Sequence, residues 1–316
     1  MQTHTMAMRN KRMNQAFSEH LIEALGSKKV KLDEPMKKHT TFRIGGVADY
    51  FVTPETVEEI QTIMKLCKEW DIAYYILGNG SNLLVGDDGY RGVIIQLYKN
   101  MNEMHITDTS IVAKAGVLLS QVANFAMENA LAGLAFAAGI PGTIGGAIVM
   151  NAGAYGGEMK DVVSEVLLLT KAGEIQKLSG EEMQFGYRTS LAAKEDCIVL
   201  QVTFSLERAD KETIYAHMKE LKEKRITKQP LNYPSAGSTF KRPEGHFAGQ
   251  LIEEAGLRGF QVGGAMVSEK HCGFVINSDN ATAKDVDELM KQVIEKVYEQ
   301  AGVVLEPEIK RLGEFA

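Results

Sequence analysis

Two stretches of bare backbone are the parts of this sequence best suited to binding chemistry. Gly78-Asn79-Gly80-Ser81-Asn82 directly follows the β-prone run Ala73 to Leu77, where a flexible chain can turn successive N–H groups toward an anion such as a diphosphate. Gly139-Ile140-Pro141-Gly142-Thr143-Ile144-Gly145-Gly146 is the second, with Asn151-Ala152-Gly153-Ala154-Tyr155-Gly156-Gly157 just after it. Alone, the first is a turn and the second is compatible with tight packing between elements. As a pair they suit one large, flat, phosphate-bearing cofactor. Neither matches the familiar nucleotide fingerprints: Leu83 stands where GxGxxG needs Gly, and GxxxxGK[ST] does not occur.

Other chemistries find less support. The histidines His4, His20, His39, His105, His217, His246 and His271 include no pair at helical or zinc-ligand spacing and no HExxH, so no metal site is expected. Asp87-Asp88, Glu181-Glu182 and Glu253-Glu254 are adjacent in sequence and read as solvated charges. GxSxG is absent, which leaves Ser238 in Ala236-Gly237-Ser238-Thr239-Phe240 without a hydrolase context.

The elements that must hold these loops follow from periodicity and punctuation. Ala48 to Val52 is a strand, and Thr56-x-x-Glu59 makes a capping box before a helix whose stripe is Ile60, Ile63, Met64 and Cys67. Strands are expected at 73–77, 83–85 and 93–97, around the turn Asp87-Asp88-Gly89. A strand at 111–115, a helix started by Ser120, and strands at 165–170 and 197–206 come next. A charged helix from Lys211 to Arg225 precedes a break at Pro230 and Pro234, the best candidate for a domain boundary. Beyond it lie a helix at 247–255, strands near Val262 and Phe274, a helix at 283–300 and a last strand at 303–309. The mixed order predicts α+β.

Composition bounds the function. At 316 residues, 45% hydrophobic and 24% charged, the chain suits two or three globular domains. A net charge of -6 predicts no general attraction to nucleic acid or anionic membrane. Cys67, Cys197 and Cys272 are odd in number and widely spaced, as expected in a reducing cytoplasm. The start has no signal-peptide pattern, and residues 1–13 are expected to be a tag or disordered. The uncharged run Asn129 to Gly157 is long enough to span a bilayer, but its eight glycines and Pro141 argue against insertion.

One ordered set of motifs carries a resemblance. It comprises His39-Thr40-Thr41-Phe42-Arg43-Ile44-Gly45-Gly46, Leu77 to Leu83, Ala138 to Gly146, Asn151 to Gly156, Tyr187-Arg188-Thr189-Ser190, Ala236 to Lys241 and Leu305-Glu306-Pro307-Glu308. From about Leu32 to the C-terminus the chain resembles the UDP-N-acetylenolpyruvoylglucosamine reductase family. The resemblance implies three domains: two form a vanillyl-alcohol-oxidase-type (PCMH-type) FAD-binding module, and one binds substrate. The expected bounds are 14–97, to which a C-terminal strand near 303–316 returns, then 98–228 and 229–316. It also implies non-covalent FAD, with neither His39 nor His105 in a covalent-linkage motif, and NADPH as co-substrate. The substrate would be UDP-N-acetylglucosamine enolpyruvate, reduced in cytoplasmic peptidoglycan precursor synthesis.

Site roles carry over from the resemblance by position. Gly78, Asn79, Gly80, Ser81, Asn82 and Leu83 would cradle the FAD diphosphate. Gly139, Ile140, Pro141, Gly142, Thr143, Gly145 and Gly146, with Asn151, Ala152 and Gly153, would let the chain approach the flavin and its linker. Ser238 becomes the proton donor, with Arg188 and Glu308 as the other catalytic positions. Tyr187, Arg225, Lys228 and His271 would face the substrate. Chemistry agrees: hydride addition to the enolpyruvyl ether leaves a basic carbanion beside a carboxylate, which needs a fixed cation such as Arg188 and an acid such as Ser238. Glu308 either orients Arg188 or, if protonated, hydrogen-bonds the aci-carboxylate. The short text between Ser190 and Cys197 matches the branch without a tyrosine-bearing loop, and Lys241-Arg242-Pro243 replaces that other branch's Asn-Pro continuation. Two rivals stand beside this: another FAD enzyme of the same group, or a UDP-sugar-binding module without catalysis.

Overall fold

In a computed structural model of the chain, residues 15–315 are described; the expected tag at 1–13 lies outside them. The first sheet has the order Val30–Pro35, Val47–Val52, Tyr90–Gln96, Tyr74–Leu77, with the outer pair antiparallel and the other two pairs parallel. Its inner strands Val47–Val52 and Tyr90–Gln96 are largely buried on both faces, and their side chains alternate between two cores. Val93 and Ile95 join a large core with helix Val57–Glu69, while Ile94 and Phe51 turn to a smaller cluster with Met36, Leu77 and Val85. The helix buries Ile60, Ile63, Met64 and Cys67, the stripe read from the sequence. Only half of its expected capping box forms. Thr56 accepts the Glu59 N–H at 3.2 Å, but the Glu59 carboxylate is drawn to the Glu55 N–H at 2.8 Å and to Lys29 at 2.6 Å.

The second sheet is wholly antiparallel, in the order Ile175–Ser179, Val163–Leu169, Ile198–Ser205, Ser110–Lys114, Met104–Thr107. Its inner face shares the large core with the first sheet, so one continuous apolar mass runs from Phe17 to Met218. The strands at 30–35, 104–107 and 175–179 are absent from the sequence-based expectation. They are edge strands: 30–35 and 175–179 carry charge and exposed positions, and 104–107 is only four residues long with its apolar Met104 and Ile106 half-buried.

The Gly-rich run 129–157 becomes a string of short pieces, including the 3-10 turn Ala135–Ala137 and the helix Ile144–Val149. No helix among the described residues is long and apolar enough to cross a membrane. The helix placed at Ser120 in fact spans Leu119–Glu128, and Gln121 rather than a serine caps it, accepting the Leu118 N–H at 3.0 Å. The charged helix runs on past Arg225 to Lys228, ending where Pro230 forces Gln229 into extended backbone.

A second core gathers residues from 236 to 309 around helix Ala283–Ala301 and the small sheet Gln261–Val262, Ala265–Val267, Val275–Asn277. It takes in Phe42, Ile44 and Leu84 from the N-terminal region. The expected strand at 303–309 is displaced: residues 306–308 make only an isolated antiparallel bridge at Phe240 and Pro307, through Lys241 N–H to Glu306 and Glu308 N–H to Thr239, and the regular ladder begins at Lys310–Leu312, parallel to Leu83–Val85. This late strand delivers Glu308 to the end of the first Gly loop.

Candidate active site

The two Gly loops face each other. Asn79 Nδ2 donates to the Pro141 carbonyl at 2.7 Å, and a Cβ on Gly78 would stand 2.4 Å from Thr143 Oγ1. Gly80 has φ +61°, and a Cβ there would lie 2.1 Å from the His39 carbonyl, so no other residue fits without moving backbone. The N–H groups of Asn79, Gly80, Ser81 and Asn82 donate to no protein acceptor among the described residues, nor do those of Gly139, Gly142 and Thr143. Two opposed runs of free donors on side-chain-poor backbone are what a diphosphate-bearing cofactor requires.

The Tyr187-Arg188 motif occupies a tight turn whose ends, Gly186 and Thr189, exchange N–H···O bonds of 3.0 and 3.3 Å. Arg188 takes φ +57° there. Its Nε donates to Glu308 Oε1 at 2.9 Å, with the side chains only 23% and 13% exposed, while its terminal nitrogens have no protein acceptor among the described residues. Burial lifts the Glu308 carboxyl above its ordinary value, against the opposing pull of Arg188, Lys241 and Lys310. The Glu308 N–H donates to the Thr239 carbonyl at 2.8 Å, which places this pair one residue from Ser238. Thr239 is fully buried and fixed on both sides, by its N–H to Gly273 and by Val275 N–H to its hydroxyl. Ser238 itself is exposed, follows Gly237 at φ +78°, and its hydroxyl has no partner among the described residues. Arg188, Ser238 and Glu308, far apart in sequence, thus share one corner beside the Gly78 loop.

The four expected substrate residues divide. Tyr187 Oη accepts the Arg242 N–H at 2.9 Å, so it joins the Arg188 turn to the loop after Ser238. Arg225 and Lys228 differ in burial, the first half-buried and the second exposed. The Arg225 Cδ would meet a Cβ on Gly139 at 3.0 Å, Arg225 has no acidic partner among the described residues, and burial works against its charge while Tyr155 favours it. Lys228 is exposed, and its charge reaches His271. Burial, helped by Arg258 and Lys228, holds the His271 imidazole below its usual value and so neutral near pH 7; its Nδ1 accepts the Gly273 N–H at 3.1 Å. Lys270 Nζ donates to the Ile226 carbonyl at 2.6 Å, which brings the end of the 211–228 helix to this region.

Some residues of the site carried no assigned role in the sequence. Thr41 receives its place from both sides: its N–H donates to the Gly80 carbonyl at 3.2 Å and its hydroxyl to the Ser235 carbonyl at 2.7 Å. Its position in the His39 to Gly46 motif was the available signal. Ala152 and Gly153 lie as expected on the turn after the 144–149 helix, where Ala152 N–H donates to Ala147. Gly145 and Ile144 instead spend their N–H groups on Ala115 and Val117, and Gly146 on Thr143 Oγ1 at 3.4 Å, so Gly145 serves close packing within the loop. Among the described residues no cluster of three or more His, Cys, Asp or Glu could hold a metal.

A cradle of free donors beside a buried arginine–carboxylate pair defines an FAD-dependent oxidoreductase of the α+β, two-sheet flavin-binding type, and comparison with known proteins agrees. The FAD binding domain model matches residues 48–179, and the model for the UDP-N-acetylenolpyruvoylglucosamine reductase C-terminal domain matches 229–312. The UDP-N-acetylenolpyruvoylglucosamine reductases of Clostridioides difficile and Clostridium tetani are 51% and 52% identical to this chain, covering 95% and 94% of it and 99% and 97% of their own lengths. The solved structure of the reductase from Thermus caldophilus superposes with a TM-score of 0.76 at 36% identity, over 90% of this chain and 98% of its own. p-Cresol methylhydroxylase shares the fold at 13% identity, with a TM-score of 0.59 over 92% of this chain and 88% of its own. The chain belongs to the UDP-N-acetylenolpyruvoylglucosamine reductase family.

Proposed function

We propose that this chain reduces UDP-N-acetylglucosamine enolpyruvate to UDP-N-acetylmuramate at the expense of NADPH, in cytoplasmic peptidoglycan precursor synthesis. The observation that carries it is the convergence of Arg188, Glu308 and the Ser238 loop beside the donor-lined Gly loops. FAD, when bound, supplies hydride chemistry. The free N–H groups of Asn79 to Asn82 in the first loop and of Gly139, Gly142 and Thr143 in the second would hold its diphosphate and linker. Arg188 would take the substrate carboxylate with its free terminal nitrogens, because Glu308 already occupies Nε and fixes the plane of the guanidinium. Charge building on that carboxylate is then met by a cation that needs no reorganisation. The unpartnered hydroxyl of Ser238 would give its proton to the carbon next to the carboxylate.

Tyr187, Arg225, Lys228 and His271 would surround the nucleotide end. The unpaired, half-buried Arg225 and the exposed Lys228 offer positive charge to a diphosphate from two directions. Division into parts at 14–97, 98–228 and 229–316 belongs to the same reading. It is supported by the two sheets on one core and the separate core beyond residue 236. NADPH oxidation by flavin-loaded protein, followed at 340 nm with and without the enolpyruvyl sugar, tests the assignment. Sugar-dependent oxidation is expected; an equal rate without sugar would point to a different FAD enzyme, and colourless protein to a binding module.

A further inference from the structure

Arg188 and Glu308 are 120 residues apart; an asparagine from one cofactor-side loop holds the Glu308 carbonyl, and one from the other holds the Gly186 carbonyl at the start of the Arg188 turn. Asn151 is buried, at 1% exposure, and adopts φ +43°, a region asparagine tolerates better than most residues. All three hydrogen-bonding atoms of its amide are engaged with protein. Nδ2 donates to Glu158 Oε2 at 2.7 Å and to the Gly186 carbonyl at 3.1 Å, and Oδ1 accepts the Lys160 N–H at 3.0 Å. Only this amide orientation satisfies two acceptors and one donor. Gly186 opens the turn that carries Arg188, and Ser190, just after it, donates to the Val149 carbonyl at 3.0 Å. On the other side, Asn82 Nδ2 donates to the Glu308 carbonyl at 3.2 Å and lies 2.9 Å from the sulfur of Met150, the neighbour of Asn151. The Asn82 carbonyl accepts the Lys310 N–H at 3.0 Å.

These contacts close a ring: Glu308, Asn82, Met150-Asn151, Gly186, Arg188 and back to Glu308. A lone ion pair fixes one distance, whereas a ring also fixes the backbones from which both side chains project. We propose that Asn151 and Asn82 are positioning residues that set the Arg188–Glu308 pair and tie its geometry to the two cofactor-side loops. The proposal rests on the roles given above to Arg188 and Glu308. Loop residues expected to meet the cofactor thereby acquire a second task, performed by their side chains; the Asn82 N–H stays free for the cofactor, while the Asn151 N–H is held by the Ile148 carbonyl at 3.3 Å.

Asn151→Gly tests this, because glycine tolerates the positive φ while removing the side chain whose amide makes the three bonds. In FAD-saturated protein, kcat with the enolpyruvyl sugar should fall on the order of ten-fold or more while its KM moves less, a loss larger than any accompanying change in flavin content or in flavin reduction by NADPH. Deuterium uptake at 186–189 should rise. In an Arg188→Lys background the same substitution should cost little further, since its effect passes through Arg188. Asn82→Leu repeats the measurement from the Glu308 side and replaces the first variant if that one does not fold. Fold-losses that multiply independently with Arg188→Lys, flavin loss parallel to the kcat loss, or failure of both variants to fold would overturn the proposal. Wild-type protein without sugar-dependent turnover would sink the functional assignment instead, and deuterium exchange alone would still judge the ring.

Discussion

At the scale of the residue, the site sets a fixed cation against a buried carboxylate. Arg188→Lys should lower turnover on the order of 100-fold, because one ammonium cannot both bond Glu308 and grip a planar carboxylate. Steady-state kcat checks this, and a near-normal value would return Arg188 to a structural role. Glu308 yields a pH prediction with a definite sign. Its folded value lies above the ordinary 4.5, mainly through burial, so the folded protein holds that proton more tightly than the unfolded chain does. Its contribution to stability is therefore fully present below pH 4.5 and is lost as pH rises through the folded value. Melting temperatures of wild type minus Glu308→Gln should grow more negative across that window, and a flat difference would contradict the burial argument. Ionised Glu308 accepts the Arg188 Nε–H more strongly than the neutral acid, so kcat should show an acid limb displaced upward from the ordinary carboxylate value that Glu308→Gln abolishes.

At the scale of the element, the C-terminal part is joined to the cofactor-binding region by backbone capping as well as by apolar contact. Asp87, in the turn after Leu83–Val85, accepts the N–H groups of Ala283 and Lys284 at 2.8 and 3.0 Å, at the start of the long helix Ala283–Ala301. Asp87→Ala leaves these two donors without that acceptor and removes a negative charge from the positive end of the helix, so stability should fall by about 1 kcal/mol. Thermal unfolding reads this, with kcat close to the parent value. Adjacency to Asp88 made Asp87 look like a solvated charge, because its partner lies almost 200 residues away and no local pattern reports it. By contrast, the stripe Ile60, Ile63, Met64 and Cys67 and the apolar run expected as a strand at 93–97 were legible, since a few consecutive residues contain the whole signal. The last strand was misplaced by a few residues because apolar Val303 to Ile309 looks like strand, yet Leu305 and Ile309 are buried in the second core and the segment pairs only at the isolated bridge of Pro307 with Phe240. The edge strands escaped notice because exposed edges need no apolar period.

At the scale of the whole molecule, two cores and several long-range bonds bring one corner together from segments near 80, 150, 188, 238 and 308. The motifs at these places were visible as an ordered set, and so were the catalytic candidates. Their linkage was not, because Asn82 and Asn151 act through side chains whose partners only folding supplies. The corner makes one chemical claim above all, that the exposed, unpartnered hydroxyl of Ser238 delivers the proton while Arg188 holds the charge. The direct measurement is anaerobic stopped-flow reoxidation of the NADPH-reduced, protein-bound flavin by the enolpyruvyl sugar, in wild type and in Ser238→Ala. The account predicts normal reduction by NADPH in both, rapid reoxidation in wild type, and reduced flavin that persists in Ser238→Ala because addition without an acid at hand reverses. Equally fast reoxidation in Ser238→Ala would contradict it and show that another group supplies the proton.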